Sequence, residues 1–321
     1  MGNYNWKAHY AVQLTEQEHS DAFCTYEIDA KAGTGKVTSC TVFPGIQAVY
    51  NDLKISHCGR TVPRKEEIVE INYCIEGRYE CEVNNQYCFF ASPGDLSVGI
   101  VGRKEAAGGF PTGHFTGLTL FVELSTAKER NDLILQEMGI DLDMVQLMAI
   151  QEPRRFYIRG RKDVDDVCRQ MVSAVTGKRI SILKLRTLEL LMLIDDSEFV
   201  CCNNKPVYIS RKNAQLAKDV RTLITNDLSC RMTLRHLSEE LNASQTAIKN
   251  AFKSVYGESI REHLKSIRLQ EAQRLLQDTD LPVSEVAEMV GYSNPGHFSV
   301  AFRERYALTP GNYKRAVRSQ R

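Results

Sequence analysis

The chain has 321 residues, 43% of them hydrophobic and 25% charged, with a formal net charge of +1. That length is comfortable for two domains, and that balance is ordinary for a globular protein, not a disordered or fibrous one. No apolar run approaches the ~18 residues of a membrane span, and MGNYNWKAHY opens the chain without an apolar signal-peptide region. A cytoplasmic protein that meets no membrane is therefore expected.

Charge is unevenly spread. Residues 211–321 carry 18 Lys+Arg against 12 Asp+Glu, and the remainder carries 23 against 28. A basic C-terminal third on a mildly acidic body assigns any polyanionic partner to the C-terminal part. The ten cysteines form no CxxC and no Cys/His cluster with zinc spacing. In a cytosolic chain this reads as reduced, mostly buried thiols without a metal site, Cys201-Cys202 being the least structural-looking pair.

Residues 1 to about 60 give little pattern. Lys31 to Gly35 reads as a loop, and Thr41 to Phe43 and Ala48 to Tyr50 read as short strands about Pro44-Gly45. Ile68 to Ile75 alternates, Glu76-Gly77 turns, and Arg78 to Val83 alternates again with Tyr79, Cys81 and Val83 inward. Tyr87 to Phe90, Leu96 to Val101 and Gly117 to Leu124 are further strands. Many short strands with regular turns predict an antiparallel sandwich or barrel. After Ser125 the pattern becomes helical. Asp163 to Thr176 is amphipathic, and Ile182 to Ile194 is apolar over more than one face, as for a helix covered either within the chain or by a second copy. Phe199 to Ser210 lacks helical period and reads as the linker.

The C-terminal helices repeat a plan. Thr233 to Leu241, with Thr233 as N-cap, is followed by the Asn242-Ala243 turn and a Ser244-capped helix through Val255. Val283 to Val290 is followed by Gly291, the turn Tyr292-Ser293-Asn294 and a helix opened by Pro295. Phe252-Lys253-Ser254-Val255-Tyr256 matches Phe302-Arg303-Glu304-Arg305-Tyr306 position for position. Ser259 to Gln277 joins the two copies. A duplicated helical hairpin with a basic residue at the same outward place in each copy predicts two helix-turn-helix units.

Residues 213–316 resemble the AraC/XylS family of transcription regulators at Val286-Ala287, Val290-Gly291-Tyr292-Ser293, Phe298, Phe302-Arg303, Tyr306, Leu308-Thr309-Pro310 and Tyr313-Lys314. The resemblance implies double-stranded DNA as partner, with two recognition helices in successive major-groove segments. It further implies RNA polymerase as partner, a homodimer, and activation as the commoner mode. Carried over by position, Gln245, Thr246, Lys249 and Asn250 would read bases from the first unit, and Gly296, His297, Ser299 and Val300 from the second. Asn250 suits a bidentate pair with adenine, and Thr246 a thymine methyl. Ser244, Lys253, Arg303, Lys314 and Arg315 would meet phosphates. Gly296 and Val300 depart from the longer side chain and the arginine that the family often has there. The second unit is thus expected to supply phosphate contact and shape fit more than base reading. Ala307 replaces a common glycine, and is expected to be tolerated only if its backbone is not left-handed.

Gly77, Tyr79 and Ser92-Pro93-Gly94-Asp95 are similar to the cupin-like jelly roll of effector-binding halves in this family. That implies a pocket for a small molecule, not its identity; Arg60, Arg64, Glu70 and Tyr73 are the candidate effector contacts. No cofactor and no enzyme activity are expected. The spaced His-x-His pair of metal cupins is missing, His57 and His114 are isolated, and no GxSxG, P-loop or GxGxxG occurs. Gly33-Thr34-Gly35-Lys36 lacks the upstream glycine and strand of a phosphate loop and reads as solvated. The expected fold is α+β: a cupin-like jelly roll over 1–125, a helical dimerisation segment over 126–198, a linker over 199–211 and an all-α double helix-turn-helix domain over 212–321. The alternative is a regulator without a small-molecule effector, switched by a protein partner or by thiol oxidation.

Overall fold

A computed structural model describes residues 5–9, 14–20, 22–30, 33–55, 57–61, 67–82, 86–101, 106–150, 156–195, 208–230 and 232–319. The chain divides into two compact units, Met1–Ser210 and Arg211–Arg321. The fold is α+β, with antiparallel sheets in the first unit and helices throughout the second.

In the first unit β1 (Leu14–His19), β2 (Phe23–Ala30), β3 (Gly33–Phe43) and β4 (Ile46–Ile55) are successive antiparallel neighbours. Then follow β5 (His57–Thr61), β6 (Ile68–Gly77), β7 (Tyr79–Glu82), β8 (Tyr87–Ala91), β9 (Asp95–Ile100), β10 (Ala106–Gly109), β11 (Phe115–Glu123), and later β12 (Phe156–Arg159) and β13 (Ile209–Ser210). The larger sheet has the order β1-β2-β3-β4-β11-β6-β9-β12, the smaller β13-β8-β7-β10-β5. Of the eight strands β4 to β11, the first, eighth, third and sixth thus lie in one sheet, and the second, seventh, fourth and fifth in the other. This is jelly-roll connectivity.

Alternation along the strands gives the larger sheet two apolar faces. Val49, Leu53, Ile68, Cys74, Phe115 and Phe121 pack with Cys81, Phe89 and Phe110 of the smaller sheet region. Their strand neighbours Val69, Ile71, Tyr73, Leu96, Val98, Leu118 and Leu120 pack on the other side, under the helices. Those helices are α1 (Leu124–Glu137), α2 (Leu142–Ile150), α3 (Lys162–Thr176) and α4 (Ile180–Asp195). α3 buries Val164, Val167, Cys168, Met171 and Val175, one helical stripe. α4 buries Leu183, Leu190, Leu191 and Ile194 against the same core, which accounts for one of its apolar faces within the chain. On its far side Ile182, Leu185 and Met192 stay 39%, 50% and 41% exposed.

Three local expectations need correction. Gly33 to Lys36 is not a solvated loop; it is the start of β3, hydrogen-bonded to β2 on one side and β4 on the other. Its glycines fit because β4 crosses closely. A Cβ at Gly33 would overlap the Lys54 carbonyl, and one at Gly35 would sit 2.9 Å from Leu53 Cδ2. Phe156–Arg159, expected among helices, extends the larger sheet beside β9, where ladder bonds outweigh local pattern. Of the linker, residues 199–207 lie outside the described residues. Ile209–Ser210 pairs with Cys88 and Tyr87, and Arg211 already opens a helix.

The second unit comprises α5 (Arg211–Asn226), α6 (Leu234–Glu240), α7 (Gln245–Tyr256), α8 (Ile260–Asp278), α9 (Val283–Met289), α10 (Pro295–Tyr306) and α11 (Pro310–Arg318). Their starts are set locally. Thr233 accepts from the His236 N–H, Ser244 from Ala247, and Thr309 from Asn312, while Ser259 and Glu262 form a reciprocal capping box.

The repeat is visible atom by atom. Phe252 meets Tyr256 at 4.5 Å between ring centroids, and Phe302 meets Tyr306 at 4.6 Å. His263 stands edge-on to Phe252 at 5.2 Å, as Tyr313 does to Phe302 at 5.6 Å. An imidazole thus fills in the first copy the slot that a phenol fills in the second. Its Nδ1 lies 2.7 Å from Glu258 Oε1, and burial holds its pKa below the usual imidazole range against the pull of that carboxylate.

The punctuation repeats too. Both scaffold helices end on a left-handed residue, Asn242 (φ 45°) and Gly291 (φ 80°), and both recognition helices on another, Gly257 (φ 79°) and Ala307 (φ 60°). The expectation for Ala307 is therefore overturned: its backbone is left-handed and alanine occupies it regardless. The N–H of Ala307 closes the helix on the Arg303 carbonyl at 2.9 Å, and this bond holds the conformation. An L-residue there costs about 1–2 kcal/mol, partly offset by the smaller unfolded-state entropy of alanine. Ala307→Gly is expected to stabilise this unit by about 0.5–1 kcal/mol in urea denaturation. A variant no more stable than the parent would show that the strain is relieved elsewhere.

Candidate nucleic-acid interface

Each recognition helix has one face committed to the core. In α7, Ile248, Ala251, Phe252 and Val255 are buried, and Gln245, Thr246, Lys249, Asn250 and Lys253 are exposed. In α10, Phe298, Ala301 and Phe302 are buried, Gly296, His297, Val300 and Arg303 are exposed, and Ser299 is half-buried. The side chains assigned from sequence to base reading therefore lie on the open face of each helix, except the partly covered Ser299.

The two faces differ chemically. α7 offers two amides, a hydroxyl and an ammonium along its first two turns. α10 offers a bare backbone at Gly296, an imidazole at His297 and an isopropyl group at Val300, which is 50% exposed. The Asn294 side chain accepts from the N–H groups of both Gly296 and His297, at 2.7 and 3.2 Å, so these donors of the first turn are already engaged. Val300 can touch a thymine methyl but cannot donate a hydrogen bond.

The phosphate candidates are placed unequally. Lys253 and Arg303 are exposed on the last turns of α7 and α10. Ser244 is exposed, its Oγ accepting from Ala247 N–H at 3.2 Å. The Lys314 ammonium donates to the Leu281 carbonyl and ties α11 to the turn before α9. Arg315 is exposed and donates to Asn312 Oδ1 at 2.8 Å.

The sequence reading passed over one basic group. Arg261, Lys265 and Arg268 of α8 line a groove of about 790 Å³ that also includes Tyr292, Asn294 and His297. Their i, i+4, i+7 spacing was a readable signal. Arg268 donates to the Gly291 and Cys230 carbonyls at 3.2 and 3.1 Å, and Lys265 pairs with Glu304 at 3.1 Å. Arg261 is exposed at the start of the helix.

Of the effector candidates, Glu70 and Tyr73 have described side chains, and these two are not brought together. Arg64 and the side chain of Arg60 lie outside the described residues. Glu70 and Tyr73, three residues apart on β6, point to opposite faces. Tyr73 packs under the helices, 1% exposed, and donates its hydroxyl to Asp165 of α3, so it joins sheet to helix and does not line the space between the sheets. Burial, then the Asp165 carboxylate, push its pKa up. Glu70 lies on the face toward the smaller sheet, in a row of buried polar side chains that the sequence did not reveal: Gln47, Asn51, Asn72, Ser97 and Thr119. Thr119 Oγ1 donates to Asn72 Oδ1 at 2.6 Å and accepts from Asn51 Nδ2 at 3.5 Å. Gln47 Oε1 and Ser97 Oγ have no hydrogen-bond partner among the described residues.

Residues 237–316 match the family described as a helix-turn-helix domain. The HTH-type transcriptional activator RhaR of Enterobacter sp. (strain 638) is 31% identical over 97 residues, 30% of this chain and 34% of that protein. RhaR of Salmonella typhi is 29% identical over 93 residues, 29% of this chain and 33% of that protein. The chain thus spans about a third of the length of the curated relatives it matches. Among solved structures, a probable AraC family transcriptional regulator from Rhodopseudomonas palustris CGA009 is 28% identical. It covers 32% of this chain and 97% of that one, with a TM-score of 0.30. Two helix-turn-helix units on one connecting helix, each recognition helix open on one face, give the C-terminal unit the architecture of a DNA-binding domain. The C-terminal unit is thus similar to the helix-turn-helix part of transcriptional activators, in line with the resemblance to AraC/XylS regulators. Among the described residues no helix is long and apolar enough to cross a membrane.

Proposed function

We propose that this protein is a sequence-specific transcription regulator in which α7 reads bases and α10 anchors the domain. The observation that carries this reading is the contrast between the open faces: Gln245, Thr246, Lys249 and Asn250 on one, Gly296 and Val300 on the other. Lys253 and Arg303, at equivalent outward places, supply phosphate contacts. The test begins with a binding site selected from random duplexes. Asn250→Ala is expected to cost about 1–3 kcal/mol and to relax preference at one base pair. Lys253→Ala is expected to weaken all sequences alike and to lower the slope of log K against log salt by about one. Uniform weakening by Asn250→Ala, or an unchanged slope for Lys253→Ala, counts against these roles.

In the same reading the jelly roll is the effector domain, and its ligand is a small neutral, hydroxyl-rich molecule. The support is the polar row between the sheets. Buried polar atoms left without partners cost about 1–3 kcal/mol each, and Gln47 Oε1 and Ser97 Oγ are two such atoms. Aromatic rings at Phe89 and Phe110 belong to the same core and suit the apolar face of a sugar-like ring. The sole tryptophan, Trp6, reports this unit. Its thermal transition is expected to rise with a neutral sugar or polyol and not with carboxylic acids or ferric siderophores. A response to carboxylates alone would overturn the ligand class. The exposed stripe of Ile182, Leu185 and Met192 supports a homodimer through α4. RNA polymerase is the further partner of this reading.

A further inference from the structure

The β1–β2 hairpin brings together three side chains that neither the DNA reading nor the effector reading uses. We propose that Glu16, His19 and Cys24 form a binding site for a zinc-class divalent cation. Cys24 Sγ lies 3.0 Å from His19 Nδ1, and His19 Nδ1 lies 3.3 Å from Glu16 Oε1. One donor atom from each residue falls within 4.8 Å of the other two. Thiolate sulfur, imidazole nitrogen and carboxylate oxygen are the donors that zinc takes, and bonds of about 2.0–2.3 Å at a tetrahedral centre hold ligand atoms roughly 3.3–3.8 Å apart. The three groups therefore stand close to ligand spacing.

A break in the ladder creates this convergence. Residues three apart on a regular strand point to opposite faces. Here Glu16 pairs with Tyr26 and Glu18 with Thr25, so the register shifts between them and Gln17 is the extra residue of a bulge. His19 then pairs with Cys24. Because Cys24 and Tyr26 share a face of β2, Glu16 and His19 come to share one too. Bulges re-aim side chains in this way. The linear spacing Glu16, His19, Cys24 matches no zinc pattern because the bulge, not the spacing, sets the alignment.

The surroundings favour a held yet open site. Tyr26, opposite Glu16 in the ladder and on the same face of β2 as Cys24, is 4% exposed, with its ring 5.5 Å from that of Trp6, so the site is backed by a buried side chain. Lys178 pairs with Glu18 and ties the hairpin to the end of α3. On the other side His19 is 67% exposed, which leaves a fourth position for water. Three protein ligands with one open position is the arrangement of a zinc site that exchanges a ligand.

The test uses the full chain, reduced and freed of metal by a chelator, and titrated with cobalt(II) alone. The expected result is one equivalent bound, with a thiolate-to-cobalt charge-transfer band and the strong d–d absorption of a tetrahedral ion, both displaced by zinc. Cys24→Ser is expected to lose the charge-transfer band, and His19→Ala and Glu16→Gln to weaken binding by about tenfold or more. Trp6 fluorescence, through its contact with Tyr26, checks that each variant keeps the hairpin. His19→Ala, on the exposed side, keeps the test decisive if Cys24→Ser disturbs packing. A parent chain without the band, or a band that survives in Cys24→Ser because Cys230 or Cys201-Cys202 supplies the thiol, overturns the proposal.

Discussion

Phe302→Ala is expected to cost the second helix-turn-helix unit about 3–5 kcal/mol, the range for truncating a fully buried phenylalanine. Phe302 is 0% exposed and sits in the cluster of Leu269, Leu276, Val286, Val290 and Phe298. Its ring lies 5.7 Å from Phe298, 4.6 Å from Tyr306 and 5.6 Å from Tyr313. Removing it leaves a cavity facing three rings that cannot close without moving α10. A small domain has about 5–15 kcal/mol in all, so the variant should bind DNA weakly through loss of fold, not loss of contact. Urea denaturation followed by helical circular dichroism measures the loss, with Trp6 fluorescence as a control on the first unit. A cost below about 1 kcal/mol would mean that Phe302 is not a keystone of this core.

Gly291→Ala is expected to cost about 2–4 kcal/mol, from two separable causes. The first is conformation. Gly291 has φ 80°, and the N–H of Tyr292 reaches the Ala287 carbonyl at 2.8 Å, the bond pattern that ends a helix on a left-handed residue. The second is space. A Cβ at Gly291 would overlap the Leu228 carbonyl oxygen and the Arg268 guanidinium. Gly291→Asn separates them, since asparagine adopts the left-handed conformation at Asn242, the equivalent place in the first copy. Asparagine is expected to recover the conformational part only. Full recovery of urea stability by Gly291→Asn would remove the steric explanation and leave backbone strain alone.

The C-terminal unit was legible because its signals are local. Caps such as Thr233 and Ser244, the proline at position 295 and the 3.6-residue period of Phe298, Ala301 and Phe302 act within one or two helical turns. Even the repeat could be read from Phe252 and Tyr256 against Phe302 and Tyr306. The equivalence of His263 and Tyr313 lies in the same register, yet it went unread because an imidazole and a phenol are unlike residue types. In the first unit, strands with clean alternation, such as Arg78 to Val83, were legible. Gly33 to Lys36 and Phe156 to Arg159 were not, because each is held by a ladder to strands that local pattern does not specify.

Sequence by itself determined that the chain ends in two helix-turn-helix units and which side chains their helices turn outward, since helical period and capping belong to neighbouring residues. Tertiary structure alone decided the rest. Strand pairing sent Tyr73 toward α3 and Glu70 between the sheets, gathered Asn51, Asn72 and Thr119 from three strands, and, through one bulge, set Glu16 beside His19 and Cys24. The physical reason is that a strand's two faces are chosen by register, and register is fixed by partners distant in the chain.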